Sequence, residues 1–212
     1  MKTASSSRFD RSVFINCPLD AEYYPLLTAL LFTLRYLGFS PRLSPESLDS
    51  SESRLDKIKA LIGSSRLGIH DLSRLRSSSV GELSRMNMPF ELGLDIGCKS
   101  FGKGRLTEKR CLVLEEQPFR YHAALSDLSG SDIMSHSGSP ERIVYCVRKW
   151  VVQLGFKKTP QAKSIWYEYQ RFLAYVMLAL QAKGMTEGEA KSELSEIPIS
   201  EFLEFVDDWQ SD

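Results

Sequence analysis

The chain has 212 residues, 42% of them hydrophobic, which is enough apolar material for one good core and a small appendage. Lysine plus arginine and aspartate plus glutamate each total 27, so the overall charge indicates neither direct nucleic-acid binding nor a membrane surface. The longest apolar run is too short to span a bilayer, and the first residues lack the apolar region of a signal peptide, so we expect a cytoplasmic protein.

Acidic residues are concentrated at the C-terminal end. The segment from Glu187 to Asp212 contains nine acidic residues and one basic residue, so the rest of the chain carries a net charge of +8. We expect this acidic segment to lie against the basic body of the protein or against a basic partner. The four cysteines show no CxxC spacing and sit in apolar segments, which indicates reduced core thiols and no metal site.

Strand and helix patterns alternate over the first three quarters of the chain. Strands are predicted at residues 12–18, 39–44, 66–73 and 109–116, with a fifth between 120 and 138, and helices at 21–38, 53–65, 88–97 and 139–155. The helix at 53–65 is expected to bury Leu55, Ile58 and Ile62. This alternation predicts an α/β fold: a small, doubly wound, flavodoxin-like parallel sheet of four or five strands in the order 2-1-3-4-5, with a C-terminal helical extension.

Beyond residue 159 the pattern is wholly helical. A helix over residues 162–184 carries an apolar stripe, formed by Ile165, Tyr169, Phe172, Val176 and Leu180. Thr186 and Glu189 predict a capping box for a short helix, and a last helix follows Pro198. The predicted domains are an α/β domain over residues 8–156 and a helical extension over 157–212. The extension packs on the α/β domain or forms an interface with a subunit or partner.

Glu91 is the most informative charged residue, because it lies inside the apolar helix start MPFELGLDIG (88–97). A buried charge is costly unless something pairs with it or uses it. Pro89 suits a first helical turn, which places Glu91 near the positive end of the helix dipole at the carboxyl edge of the sheet. Glu91 either points into a ligand cleft, or only complements the dipole and pairs with an arginine such as Arg85. Asp95, one turn later, is a second active carboxylate or a solvated side chain.

Three peptides together resemble the nucleoside 2-deoxyribosyltransferase fold and its relatives, the bacterial TIR-like domains. They are the first strand with its NCPLD end (16–20), the HDLS end of the third strand (70–73) and the PFELGLDIG helix start. The resemblance covers roughly residues 12–155. It implies that Glu91 attacks or stabilises the anomeric carbon of an N-ribosyl bond, and that Asp71 is a second catalytic residue that holds the ribose. The substrate would be bound by a further set of residues: Phe14, Asn16, Pro18, Asp20, Arg42 and His70.

The chemistry agrees with these roles. Cleavage of an N-glycosidic bond passes through an oxocarbenium-like state that one carboxylate can stabilise or trap. Nicotinamide leaves as a neutral molecule and needs no general acid, whereas adenine or a pyrimidine needs a proton from Asp71 or His70. Arg42 either meets a phosphate or is a surface arginine, and His122 and His136 are expected to be solvated. NAD or a nucleotide is then the substrate, and no cofactor is expected.

Three functions of different classes follow. The chain is an N-ribosyl-cleaving enzyme, as a TIR-like effector of antiviral defence would be, or a nucleotide-binding sensor without turnover, or a TIR-like assembly scaffold. The expected partners are NAD or a nucleotide, together with further copies of the chain or another protein of a defence system. Fold alone does not choose among these functions.

Overall fold

The computed structural model describes residues 4–46, 49–74, 86–118, 125–128, 130–156 and 158–211. Five strands form one all-parallel sheet in the order β2-β1-β3-β4-β5, which confirms the predicted strand order. The strands are β1 (Ser12–Asn16), β2 (Ser40–Arg42), β3 (Leu67–Asp71), β4 (Arg110–Glu115) and β5 (Ile133–Ser135). In the register of β1 and β3, Asn16 lies beside His70, so the last residues of both strands meet at the carboxyl edge.

Eight α-helices complete the described fold, and with the parallel sheet they confirm the predicted α/β doubly wound class with C-terminal helices. They are α1 (Ala4–Arg11), α2 (Tyr24–Tyr36), α3 (Arg54–Ser64), α4 (Asn87–Phe101), α5 (Pro140–Gln153), α6 (Ala162–Ala182), α7 (Glu187–Glu196) and α8 (Ile199–Ser211). The sequence did not predict α1, because its serine-rich segment lacks an apolar repeat. Among the helices of the described residues, none has the length and apolar content that a membrane span requires.

The chain divides into two compact units. The first unit comprises Met1–Pro18 and Phe39–Ser137, and the second comprises Leu19–Gly38 and Gly138–Asp212. All five strands therefore belong to the first unit, together with α1, α3 and α4. Helices α2 and α5, which the sequence assigned to the α/β domain, group with α6, α7 and α8. The boundary at residues 156 and 157 stays a prediction.

The core of the first unit is built on the sheet and helices α3 and α4. Phe14 packs against the buried face of α3, which consists of Ile58, Leu61 and Ile62. Leu55 was predicted to lie on this face, but it is 41% exposed. It sits in the first turn of α3, ahead of the buried positions, and Leu61 contributes to the core in addition to Ile58 and Ile62.

The core of the second unit is built on α6. All five residues of the predicted stripe are buried, which confirms the stripe and shows that the single chain already covers it. The Tyr169 hydroxyl lies 2.8 Å from Thr28 Oγ1 of α2. The ring of Phe172 lies 5.4 Å from that of Phe202 in α8. Contacts within the chain therefore account for the burial of this stripe, and an interface of the extension with a subunit or partner stays a prediction.

Two local features of the C-terminal helices were also predicted. The capping box between Thr186 and Glu189 is present, with the Thr186 side chain accepting from the Glu189 amide and the Glu189 carboxylate accepting from the Thr186 amide. Part of the acidic segment meets a basic residue, because the Arg35 guanidinium donates to both carboxylate oxygens of Asp207 at 2.5 and 2.6 Å. This two-point pairing ties α8 to α2.

The buried position of Phe172 predicts a large stability loss in the Phe172→Ala variant. The side chain is fully buried among aromatic rings, so truncation leaves a cavity and should lower the free energy of unfolding by about 3–5 kcal/mol. Denaturant unfolding followed by circular dichroism measures this loss. The control is Tyr167→Ala on the same helix, whose side chain is 55% exposed and should change stability by less than about 0.5 kcal/mol. Equal losses in the two variants would contradict the packing of α6.

Candidate functional site

Helix α4 is attached to the carboxyl edge of the sheet between β1 and β3, where the strand order reverses. Ligands of doubly wound folds bind at this edge. The attachment is made by Asn16, the last residue of β1, whose amide nitrogen donates to the carbonyl of Met88 in the first turn of α4 at 2.9 Å. The same amide nitrogen lies 3.1 Å from Nδ1 of His70. Both amide hydrogens of Asn16 are thus used within the chain.

These contacts fix the protonation of His70. A backbone carbonyl can only accept, so the bond to Met88 orients the Asn16 amide with its nitrogen toward His70. Nδ1 of His70 must then accept a hydrogen bond and carries no proton. The proton lies on Nε2, which donates to Oδ2 of Asp95 at 2.9 Å. His70 therefore connects β1 and β3 to the middle of α4.

Asp95 is fully buried and pairs with an equally buried cation, Lys109, at the start of β4. Lys109 Nζ lies 3.0 Å from Oδ1 of Asp95. Its other donors reach the carbonyls of Ile62, at 2.7 Å, and of Ser65, at the C-terminal end of α3. The ammonium group therefore donates to two carbonyls and forms an ion pair with Asp95. Asp95 is therefore not a solvated side chain, and its alternative role as a second active carboxylate stays a prediction.

The pKa of Asp95 reflects this pairing. Burial by itself would raise the pKa of the carboxyl group, but the hydrogen bond from His70 and the charge and hydrogen bond of Lys109 hold it below its ordinary value. Gly68 leaves the space that this carboxylate occupies, because a Cβ atom at position 68 would collide with Asp95 Oδ2. The buried Asp95–Lys109 pair thus explains why β3 has glycine at this point.

Glu91 lies on α4 between the two attachment points, three residues after Met88 and four before Asp95. It is 6% exposed, and among the described residues it pairs with Arg54 in the first turn of α3, whose Nη2 lies 3.8 Å from Oε1. Burial raises the pKa of Glu91, and the charge of Arg54 acts in the opposite direction. Glu91 is a desolvated carboxylate with a loosely held partner. Arg85, the partner considered from the sequence, lies outside the described residues.

Asp71 belongs to a second cluster. Successive side chains of a strand point to opposite faces, so Asp71 points away from the face that carries His70. Its Oδ1 accepts from the amide of Ser73 at 2.9 Å and from the Ser73 hydroxyl at 2.5 Å. Nε2 of His136 lies 3.0 Å from Oδ2 of Asp71 and 3.0 Å from Oγ of Ser73. All three side chains are buried, so the expectation that His136 is solvated is wrong.

The geometry of this second cluster differs from that of a hydrolase triad. In a triad the aspartate binds one nitrogen of the histidine and the serine binds the other. Here Nε2 of His136 contacts both partners, and the Ser73 hydroxyl points at the aspartate. The position of His136 follows from β5, because its amide donates to the carbonyl of Glu115 at the end of β4. The cluster therefore ties the carboxyl ends of β3, β4 and β5 together.

The remaining predicted site residues have other surroundings. Phe14 is buried in the core against α3, with its ring 5.8 Å from that of His70 in an edge arrangement. Pro18 is buried, Arg42 is half-buried at the end of β2, and Asp20 accepts from the amide of Tyr23 at 3.0 Å. His122 lies outside the described residues. The described contacts thus join Asn16 and His70 to α4, and they place Asp71 with Ser73 and His136.

One group of side chains has the spacing of a metal site. The ligand atoms of His70, Asp95 and Cys111 lie within 4.8 Å of one another. Lys109 already supplies a positive charge to Asp95, and the His70 nitrogen that faces Asp95 carries a proton. Burial and the neighbouring carboxylate raise the pKa of the Cys111 thiol, which donates to Asp95 at 3.3 Å. These states suit an internal hydrogen-bond network better than a metal-ligand set.

Comparison with protein-family models, with curated proteins and with solved structures found no match. The resemblance to TIR-like domains therefore rests on the three sequence peptides alone. The functions that it implies are proposals.

The buried Asp95–Lys109 pair predicts a large effect of the Lys109→Met variant. The substitution leaves the Asp95 charge and two carbonyls without their buried donor, so it should lower the free energy of unfolding by about 3–5 kcal/mol. Denaturant unfolding at neutral pH measures this loss. The control is Lys99→Met, because Lys99 is an exposed lysine on α4, the helix that carries Asp95, and its substitution should change stability by less than about 0.5 kcal/mol.

The pH dependence of Asp95→Asn provides a second test of this pair. The folded pKa of Asp95 lies below the ordinary value of 3.8, so its ionised form stabilises the protein above that pH and this contribution is lost as the pH falls further. The stability difference between wild type and Asp95→Asn should be full at neutral pH and should shrink in acid. A difference that stays constant down to low pH would contradict an ionised Asp95.

Proposed function

We propose that the chain cleaves the N-glycosidic bond of NAD or a related nucleotide, with Glu91 as the carboxylate that meets the anomeric carbon. The observation that carries the proposal is the setting of Glu91: a buried carboxylate at the carboxyl edge, on a helix that is attached on both sides of it. Attachment at Met88 and at Asp95 restricts the movement of α4, which is what a group that must be aligned with a reacting atom requires.

The electrostatics of Glu91 suit this role. A carboxylate that has lost its water is a stronger partner for a developing positive charge than a solvated one, because the local dielectric is low. Glu91 is nine-tenths buried, its burial raises its pKa, and its ion-pair partner Arg54 lies 3.8 Å away. An oxocarbenium-like ribose beside it would supply the missing positive charge. The site would then bind the transition state more tightly than the ground state.

The surrounding residues favour a leaving group that departs without a proton. Nε2 of His70 is bonded to Asp95, and Asp71 accepts a hydrogen bond from Ser73 and lies 3.0 Å from Nε2 of His136, so both groups considered as general acids are engaged within the chain. Nicotinamide bound through a positively charged ring nitrogen leaves as a neutral molecule. This supports NAD over a purine nucleoside as the substrate class.

Arg54 is the cation best placed for the rest of such a substrate. Its side chain is 63% exposed, so the guanidinium can turn from Glu91 toward a phosphate group. The first turn of α3, where Arg54 lies, adds the positive end of a helix dipole. Arg54 was not predicted as a site residue, because it follows the serine cap of α3 and resembles an ordinary surface arginine.

Glu91→Gln is the sharpest test of the proposal. The amide keeps the shape of the side chain but cannot stabilise positive charge, so release of nicotinamide from NAD should fall by orders of magnitude while NAD binding persists. Chromatography of the free base and calorimetry of NAD binding measure the two quantities. Glu141→Gln is the control, because Glu141 is an exposed glutamate in the first turn of α5. It should leave cleavage unchanged.

Stability provides an independent readout for the same variant. The folded pKa of Glu91 is raised above 4.5, so its ionised form costs stability at neutral pH, and the cost disappears as the pH falls below that value. Glu91→Gln should therefore raise the melting temperature at pH 7 and lose this advantage near pH 4. Wild-type protein that binds NAD without cleaving it would point to a nucleotide sensor. Full activity in Glu91→Gln would end the proposal.

A further inference from the structure

Helix α4 has an unusual distribution of polarity. Its two acidic residues, Glu91 and Asp95, are buried, whereas the opposite face is exposed and apolar. Four large apolar side chains on or flanking this face are exposed: Met86 by 52%, Phe90 by 55%, Ile96 by 39% and Phe101 by 89%. Gly93, Gly97 and Ser100 lie between them. The residues from Met86 to Phe101 on this side, called the outer face of α4 below, include no charged side chain.

The composition of this face is the opposite of that of an ordinary solvent-exposed helix surface. Exposed helix positions normally carry charged or polar residues, and each glycine in a helix interior costs about 1 kcal/mol relative to alanine. Among the described residues, a Cβ atom added at Gly93 would meet nothing within 4 Å, so their contacts do not require glycine there. Bulky apolar groups and small residues on one uncharged face are what close helix packing needs.

We propose that the outer face of α4 binds the same face of a second copy of this chain, giving a two-fold symmetric dimer. The pattern is close to a palindrome: Phe90, Gly93, Gly97 and Phe101 are separated by three, four and four residues. If a two-fold axis passes midway between Gly93 and Gly97, Phe90 lies about 7.5 Å from it along the helix on one side. Phe101 lies about 9 Å from it on the other side. Phe90 of each copy then meets Phe101 of its partner, as an isologous contact requires.

The area of the face fits a homodimer. With about 200 Å² for a large side chain, the four exposed apolar residues offer roughly 450 Å² per copy, or about 900 Å² for two copies. Homodimer interfaces are about 65% apolar, so the whole interface would bury about 1,400 Å². This value lies within the range of about 1,200–2,000 Å² for stable complexes. The absence of charge on the face also removes like-charge repulsion between identical surfaces.

Sedimentation of the full-length chain over a concentration series tests the dimer. The wild type should change from monomer to dimer between about 1 and 100 µM, which is the affinity range of an interface of this size without polar anchors. Phe101→Glu should weaken self-association by at least about tenfold, because it places a charge in the contact. Leu178→Glu is the control: Leu178 is 66% exposed on α6, and its substitution should leave association unchanged.

Gly93→Leu separates the contact from effects on folding. The single chain has room for the new side chain, so the melting temperature of the dilute monomer should stay the same or rise. In the dimer the leucine would hold the two helices apart, so association should weaken as in Phe101→Glu. A wild type that remains monomeric at about 100 µM would overturn the proposal, as would a dimer that neither substitution affects.

Discussion

The ion pair between Asp95 and Lys109 is the interaction on which the arrangement of the first unit depends. A lysine without any exposed surface is tolerated when its charge is paired and its ammonium group is hydrogen-bonded, and Lys109 has Asp95 as its ion-pair partner and two carbonyls at the end of α3 as acceptors. The pair connects three separate elements, since Lys109 precedes β4, its carbonyl partners end α3, and Asp95 lies in the middle of α4. Each element is held by the same ammonium group.

This constraint determines where the chemistry can occur. Through His70, the ion pair reaches Asn16 and the first turn of α4, so Glu91 lies between two fixed points. The opposite face of β3 is organised separately by Asp71, Ser73 and His136. The carboxyl edge therefore has one side that orients a helix and another that joins three strand ends. The two adjacent residues His70 and Asp71 serve different sides because β-strand side chains alternate.

Local sequence patterns predicted most of the fold, but they could not predict contacts between residues that are far apart in the sequence. The strand order and the α6 stripe follow from alternating segments and from a helical repeat, which are visible in a short window. The buried state of His136 was missed, because Asp71 and Ser73, whose side chains it contacts, are more than sixty positions away. Lys109 looked like the ordinary polar start of a strand, and nothing near it in the sequence marks it as the partner of Asp95. Glu91 was found because one charge interrupts an apolar run.

The glycine at position 68 restricts the substitutions that the chain can accept during evolution. The carboxylate of Asp95 fills the space that a side chain at position 68 would need. The ammonium group of Lys109 and the imidazole of His70 both contact this carboxylate. A larger residue at position 68 would displace Asp95, and a chain without Asp95 would hold Lys109 as an isolated buried charge. Gly68, His70, Asp95 and Lys109 are therefore expected to change together during evolution, as a single unit of substitution. In distant relatives, these four positions would mark kinship even where the surrounding sequence has diverged.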